Sequence, residues 1–128
     1  MSVDFSKPVL VVDDYKTVTR IIHNLLKQAG FAEIDEASDG EEAIARMRAK
    51  KYGLVISDWH MAPVDGLELL KQAKADEQLK ETPIILISAE AAPEYLDTAK
   101  SAGAAGYVVK PFDAQTLRAR IEGALRAA

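Results

Sequence analysis

The chain predicts an α/β fold, a five-stranded parallel sheet with helices on both faces, and three observations predict it. Short unbroken apolar runs recur along the sequence, as strands buried on both faces require. Between them lie longer segments whose apolar residues repeat every three or four positions, the period of a helix packed on one side. Strand and helix alternate five times. Parallel neighbours need a crossover of about a dozen residues or more, and each interval has room for one helix.

Val9–Val12 is the first strand. The stripe Val18, Ile21, Ile22, Leu25, Leu26 and Ala29 follows at helical spacing and stops at Gly30, a residue suited to a left-handed C-cap. Glu33–Ala37 is the weakest of the strands, because acidic residues interrupt it. A turn at Asp39-Gly40 leads into a helix carrying Ala43, Ile44 and Met47. Leu54–Ile56 is the third strand, and Asp65-Gly66 opens the next helix, with Leu67, Leu70 and Ala73 inward. Ile84–Ile87 is the fourth strand. Pro93 suits the first turn of a helix that buries Leu96 and Ala99 and ends before Gly103. Tyr107–Val109 is the fifth strand, and Asp113 is the expected N-cap of a last helix bearing Leu117, Ile121, Ala124 and Leu125.

Composition narrows the function. With 128 residues, the chain is expected to be one domain over 1–128 with no output domain attached. No Cys is present, which removes disulfides, thiolate catalysis and cysteine metal sites, and His23 and His60 are too few for a His-rich centre. His23 lies on the polar side of its helix and reads as a surface residue. Sixteen basic against twenty acidic residues give −4, a poor balance for a nucleic-acid partner. No apolar run approaches the ~20 residues of a membrane span, and MSVDFSKP lacks the layout of a signal peptide. A cytoplasmic monomer with neither nucleic-acid nor membrane partner is expected.

The residues that follow the apolar runs carry the chemistry. Asp13 and Asp14 follow the first strand, Ser57 and Asp58 the third, Ser88 the fourth and Lys110 the fifth. In an open α/β sheet these carboxyl ends share one edge, where ligands bind. A single strand-end Asp is often only a helix cap, and a single Ser or Lys there only a turn or a solvated charge. Complementary groups at four strand ends point further. Three carboxylates together repel one another unless a cation joins them. Hard oxygen donors, too few to form a cage, suit Mg²⁺. One carboxylate is then available as the nucleophile of an acyl phosphate, with the Lys ammonium and Ser hydroxyl on phosphoryl oxygens. Tyr107 reads equally as a core aromatic, and Trp59 as either packing or a partly exposed lid.

Val11-Val12-Asp13-Asp14, Ile56-Ser57-Asp58-Trp59, Asp65-Gly66-Leu67-Glu68-Leu69-Leu70, Ser88-Ala89-Glu90 and Gly106-Tyr107-Val108-Val109-Lys110-Pro111-Phe112 together resemble a response-regulator receiver domain. The resemblance covers essentially the whole chain, with the motifs in the family's order. It implies a strand order of 2-1-3-4-5, which is the family's own and is inherited rather than derived. It further implies Asp58 as phosphoacceptor, with Asp14, Asp58 and the backbone carbonyl of His60 as direct Mg²⁺ ligands and Asp13 acting through water. Ser88 and Tyr107 take the switch positions, Lys110 takes the phosphate-contacting position, and Lys110–Pro111 is a cis bond. The implied partners are a histidine kinase and a downstream protein such as a flagellar motor switch. Phosphate shuttling and kinase regulation are the other outputs the family offers.

Two departures stand out. Ala62 occupies the place where the family usually has Pro, with Pro63 one position later. His60, two residues past Asp58, overhangs the phosphate in the family's geometry and is expected to tune its lifetime. Two other readings remain open. An aspartyl-phosphate phosphatase of the haloacid-dehalogenase type also uses a strand-end Asp, but expects Asp-x-Asp where this chain has Asp13-Asp14. An anion- or nucleotide-binding module would use Lys110, Arg118, Arg120 and Arg126, diluted by Asp113 and Glu122.

Overall fold

The computed structural model describes the backbone of residues 5–127 and the side chains of residues 5–125. Strands β1 (Val9–Val12), β2 (Ile34–Ala37), β3 (Leu54–Asp58), β4 (Ile84–Ser88) and β5 (Gly106–Val109) alternate with helices α1 (Lys16–Ala29), α2 (Gly40–Ala49), α3 (Gly66–Ala75), α4 (Pro93–Ser101) and α5 (Ala114–Ala127). The strands form one sheet in the order β2-β1-β3-β4-β5, and every pairing is parallel. The expected class and order are both present. Among the described residues no helix is long and apolar enough to cross a membrane.

Strand periodicity divides the core in two. Successive side chains point to opposite faces, so Leu10 and Val12 join one apolar cluster while Val9 and Val11 join the other. The first cluster packs against Ala43, Ile44 and Met47 of α2, Leu69, Leu70 and Ala73 of α3, and Ala99 of α4. The second packs against Ile22 and Leu26 of α1 and Leu117, Ile121 and Ala124 of α5. The central strands β1, β3 and β4 are buried throughout, whereas β2 is half-buried over Ile34–Glu36 and Val109 of β5 is exposed. β2 lies at the sheet's edge, which is why acidic residues are tolerated in it and its sequence signal is weak.

The buried stripes are narrower than the sequence suggests. Ile21 is 52% exposed and Leu96 46%. On α1 the buried residues are Thr19, Ile22 and Leu26, the Thr19 hydroxyl donating to the Lys16 carbonyl. On α4 the inward pair is Tyr95 and Ala99, one turn apart, rather than Leu96 and Ala99. Phe31, Tyr52, Met61 and Leu79 complete the core from segments outside the strands and helices, where periodicity gives no signal.

Helix ends follow their sequence markers. Gly30 has φ 114° and its N–H reaches the carbonyls of Leu26 and Lys27, closing α1 in the left-handed conformation that favours glycine. Asp39, Asp65 and Asp113 accept the N–H groups of Glu42, Glu68 and Thr116 at 2.9, 2.8 and 2.7 Å, capping α2, α3 and α5. α4 starts on Pro93 behind Ala92 and has no side-chain cap. Both Ala62–Pro63 and Lys110–Pro111 are cis.

Gly66 fixes the start of α3 against the end of β3. Its N–H donates to the Trp59 carbonyl at 2.8 Å, and a Cβ built there would lie 2.3 Å from the carbonyl oxygen of Asp58. Backbone cannot yield as a side chain tip can, so Gly66→Ala is expected to displace the end of β3 and cost about 1–3 kcal/mol. Urea unfolding measures this; a midpoint unchanged from the parent would show that the contact relaxes freely.

Candidate functional site

Parallel register assembles the site. Val12 pairs with Ser57, Asp58 with Ile87, and Ser88 with Val109. The residues that close each strand or directly follow it, Asp13, Asp58, Ser88 and Lys110, therefore stand side by side along the carboxyl edge. Backbone hydrogen bonds extend the ladder past the strands: Trp59 N–H donates to the Ile87 carbonyl and Lys110 N–H to the Ser88 carbonyl, both at 2.8 Å.

Carboxylate oxygens of Asp13, Asp14 and Asp58 lie within 4.8 Å of one another. Asp13 and Asp58 are buried, while Asp14 is exposed at the mouth. Lys110 supplies the local counter-charge, its Nζ 2.6 Å from Asp58 Oδ1 and 3.9 Å from Asp13 Oδ2. One ammonium against three carboxylates leaves the cluster short of positive charge. Asp13 registers this: burial first, and then the charges of Asp58 and Asp14, raise its pKa from 3.8 to about 6, against the lowering effects of the Tyr15 N–H and Lys110. The Tyr15 N–H donates to Asp13 Oδ1 at 2.9 Å and so ties this carboxylate to the start of α1. Oxygen donors only, crowded and under-compensated, fit a hard divalent cation.

The remaining sequence-predicted residues fall around this cluster. Ser57 is buried and its hydroxyl donates to the Asp58 carbonyl at 2.9 Å. Ser88 is fully buried, and its Oγ accepts the Glu90 N–H at 3.0 Å. The Tyr107 hydroxyl donates to the Glu90 carbonyl at 2.6 Å. Glu90, in the loop between β4 and α4, is thus held from both sides by the two residues assigned to the switch. Tyr107 is half-buried against the first core cluster, so core packing and surface contact are both present in one residue. Trp59 is 6% exposed, which settles it as packing. His60 is exposed, its ring stacked on Trp59 with centroids 6.3 Å apart. His23, read as a surface residue, has its Nδ1 3.0 Å from Glu36 Oε2 of β2.

Among the described residues Lys110 is engaged by Asp58 and not by the basic stretch of α5. Arg118 pairs with Glu122 along the helix at 3.8 Å. Arg120 is exposed, and the side chain of Arg126 lies outside those described. Tyr95, whose ring lies against Trp59, is the residue at this edge that sequence reasoning missed. Its four-residue spacing from Ala99 is the signal that would have found it.

The sequence pattern of the response regulator receiver domain matches residues 9–122. The chain is 42% identical over 114 residues to chemotaxis protein CheY-3 of Vibrio cholerae, covering 89% of this chain and 88% of that one. It is equally similar to chemotaxis protein CheY of Pseudomonas aeruginosa, 42% over 114 residues, covering 89% and 92%. Among solved structures, the chemotaxis response regulator CheY4 of Vibrio cholerae superposes with a TM-score of 0.87 at 34% identity, over 94% of this chain and 99% of that one.

The raised pKa of Asp13 has a stability consequence with a definite sign. The folded chain's tighter hold on this proton favours folding in full below about pH 4, and the advantage falls away as pH rises from 4 through 6. Asp13→Asn removes the titration, so in chelator it is expected to be more stable than the parent at pH 7.5 by about 2–3 kcal/mol. The difference should shrink toward pH 4. Urea unfolding at the two pH values checks this, and a pH-independent difference would contradict it.

Proposed function

The chain belongs to the response regulator receiver family, and from that premise we propose that it takes a phosphoryl group from a histidine kinase onto Asp58 and reports it by a change in protein binding. The observation that carries the proposal is the Asp58 carboxylate: buried, centred in the acidic cluster, and held at one oxygen by Lys110. The family is a signalling one, and the chain is not read as an enzyme that turns over an external substrate.

The chemistry asked of the protein is positioning. A carboxylate oxygen of Asp58 attacks the phosphorus of a phosphohistidine; an O–P bond forms, the N–P bond breaks, and the imidazole leaves with the electron pair. The 2.6 Å contact of Lys110 with Oδ1 orients the group and leaves Oδ2 for attack. Asp13, Asp14 and Asp58, with the His60 backbone carbonyl, would hold Mg²⁺, which when bound offsets carboxylate repulsion and the charge developing on the phosphoryl oxygens. After transfer, Lys110 exchanges its carboxylate partner for a phosphoryl oxygen. The Ser88 Oγ accepts from Glu90, so its own proton is available to the phosphoryl group.

Movement of Ser88 toward the phosphoryl group would loosen its hold on Glu90, and Tyr107 shares that residue. The loop before α4 is therefore biased between two arrangements by the charge on Asp58. The output surface would be the α4, β5 and α5 face, where Leu96 and Val109 are exposed apolar residues flanking an open groove of about 440 Å³. The names of the relatives favour chemotaxis as the pathway and a component such as a flagellar motor switch as the downstream partner.

Acetyl phosphate with Mg²⁺ is expected to add one phosphate by intact mass. Asp58→Asn or excess chelator should abolish it; full labelling of Asp58→Asn would overturn the assignment. Lys110→Ala loses a charge-assisted contact of roughly 1.5–3 kcal/mol in the phosphorylated arrangement. It should still accept phosphate, yet retain the partner affinity of the unmodified protein. A variant that both labels and binds its partner as the parent does would remove Lys110 from the switch.

A further inference from the structure

Helix α4 is lightly fastened to the molecule. Ala99 is its one buried residue, Leu96 is exposed, and no side chain caps its first turn. What remains is Tyr95, one turn before Ala99 on the same side. The Tyr95 ring meets the Trp59 indole edge-on, with centroids 5.3 Å apart and planes at 71°. Trp59 meets Tyr107 in the same manner, at 6.0 Å and 87°. Trp59 is held on both sides by its backbone, whose N–H donates to the Ile87 carbonyl and whose carbonyl accepts the Gly66 N–H. One buried ring, next in the chain to Asp58, is thus shared by a ring from α4 and a ring from β5.

We propose that Tyr95 is a positioning residue, which fixes α4 on the Asp58 edge by its ring alone, through Trp59. The loop that precedes α4 is held at Glu90 by Ser88 and Tyr107, so the loop and the helix are anchored at separate points. The Glu90 anchor responds to the group on Asp58; the Tyr95 anchor determines whether that response reaches the helix as a displacement or is dissipated in the loop. The second half of this inference rests on Asp58 as phosphoacceptor, whereas the first half does not.

The experiment compares the parent, Tyr95→Phe and Tyr95→Ala by amide hydrogen exchange and by the emission of Trp59, the chain's single tryptophan. Each protein is measured alone and after acetyl phosphate with Mg²⁺, with the label verified by intact mass. Loss of the aromatic contact is expected to speed exchange across α4 about tenfold in unlabelled Tyr95→Ala. Its Trp59 emission should move to the red, and labelling should change α4 exchange less than twofold. Tyr95→Phe should match the parent in all three respects, because the hydroxyl has no part in the contact. If Tyr95→Ala does not fold, Tyr95→Leu, which keeps apolar volume without the ring edge, makes the same comparison. Parent-like α4 exchange in the Ala or Leu variant overturns the inference, as does failure of Tyr95→Phe to match the parent. A parent that takes no label would count against Asp58 as phosphoacceptor, and the unlabelled exchange ratio would still decide the role of Tyr95.

Discussion

Three carboxylates are held together by backbone that has no freedom to separate them. Asp13 and Asp14 extend β1 and Asp58 ends β3, and the pairing of Val12 with Ser57 fixes how close they stand. Repulsion within the group is therefore built into the sheet's register, and the surroundings must answer it. Lys110 answers part of it from two strands away. Retention of a proton by Asp13 up to about pH 6 answers part of the rest. A site in this condition favours whatever brings positive charge, and the Mg²⁺ we propose for it is the simplest such ligand.

The same register explains why so much of the site was legible before the fold was seen. Each chemistry-bearing residue directly follows an apolar run, so finding the run located the residue, and parallel pairing aligned the ends. The strand order was a different matter, since nothing in the spacings distinguishes 2-1-3-4-5 from other arrangements; it came from resemblance. Burial on the helices was less legible. Ile21 and Leu96 have the hydrophobicity of core residues, yet face outward because each helix presents a stripe only one or two residues wide to the sheet. Thr19 and Tyr95 occupy inward positions that an apolar count passes over. The approach of Gly66 to the Asp58 carbonyl was invisible for another reason: it is a contact between backbone segments, and the sequence shows only that a glycine stands there.

The two apolar clusters divide the labour of the molecule. Trp59 belongs to the cluster shared with α2, α3 and α4, and Tyr107 packs against it. The cluster under α1 and α5 has aliphatic residues and Phe31 as its buried members and Phe112 packed against it, with none of the residues assigned to the switch. A rearrangement at the carboxyl edge would therefore have the Trp59 ring contacts to act through on one face and a largely aliphatic layer on the other. The sheet itself separates the face that carries the residues assigned to the switch from the face that carries none.

The caps of the helices bear on what an arriving anion would meet. In a βα repeat the helix N-termini gather at the carboxyl edge, and exposed N–H groups there would attract a phosphoryl group on their own. Here α2, α3 and α5 each have a first-turn N–H already engaged by a carboxylate, that of Asp39, Asp65 or Asp113. At those three helices the anion would find a capped terminus, so its recognition would fall chiefly to Lys110 and to the Mg²⁺ we propose for the acidic cluster. α1 and α4 are the exceptions, since neither Tyr15 nor Ala92 caps its helix with a side chain. A helix without a cap has no cap to break, so its first turn can be rewound or slid at little cost. Of the three helices packed on the first apolar cluster, α4 is the one whose start no side chain holds, so its placement falls to the contact of Tyr95 with Trp59.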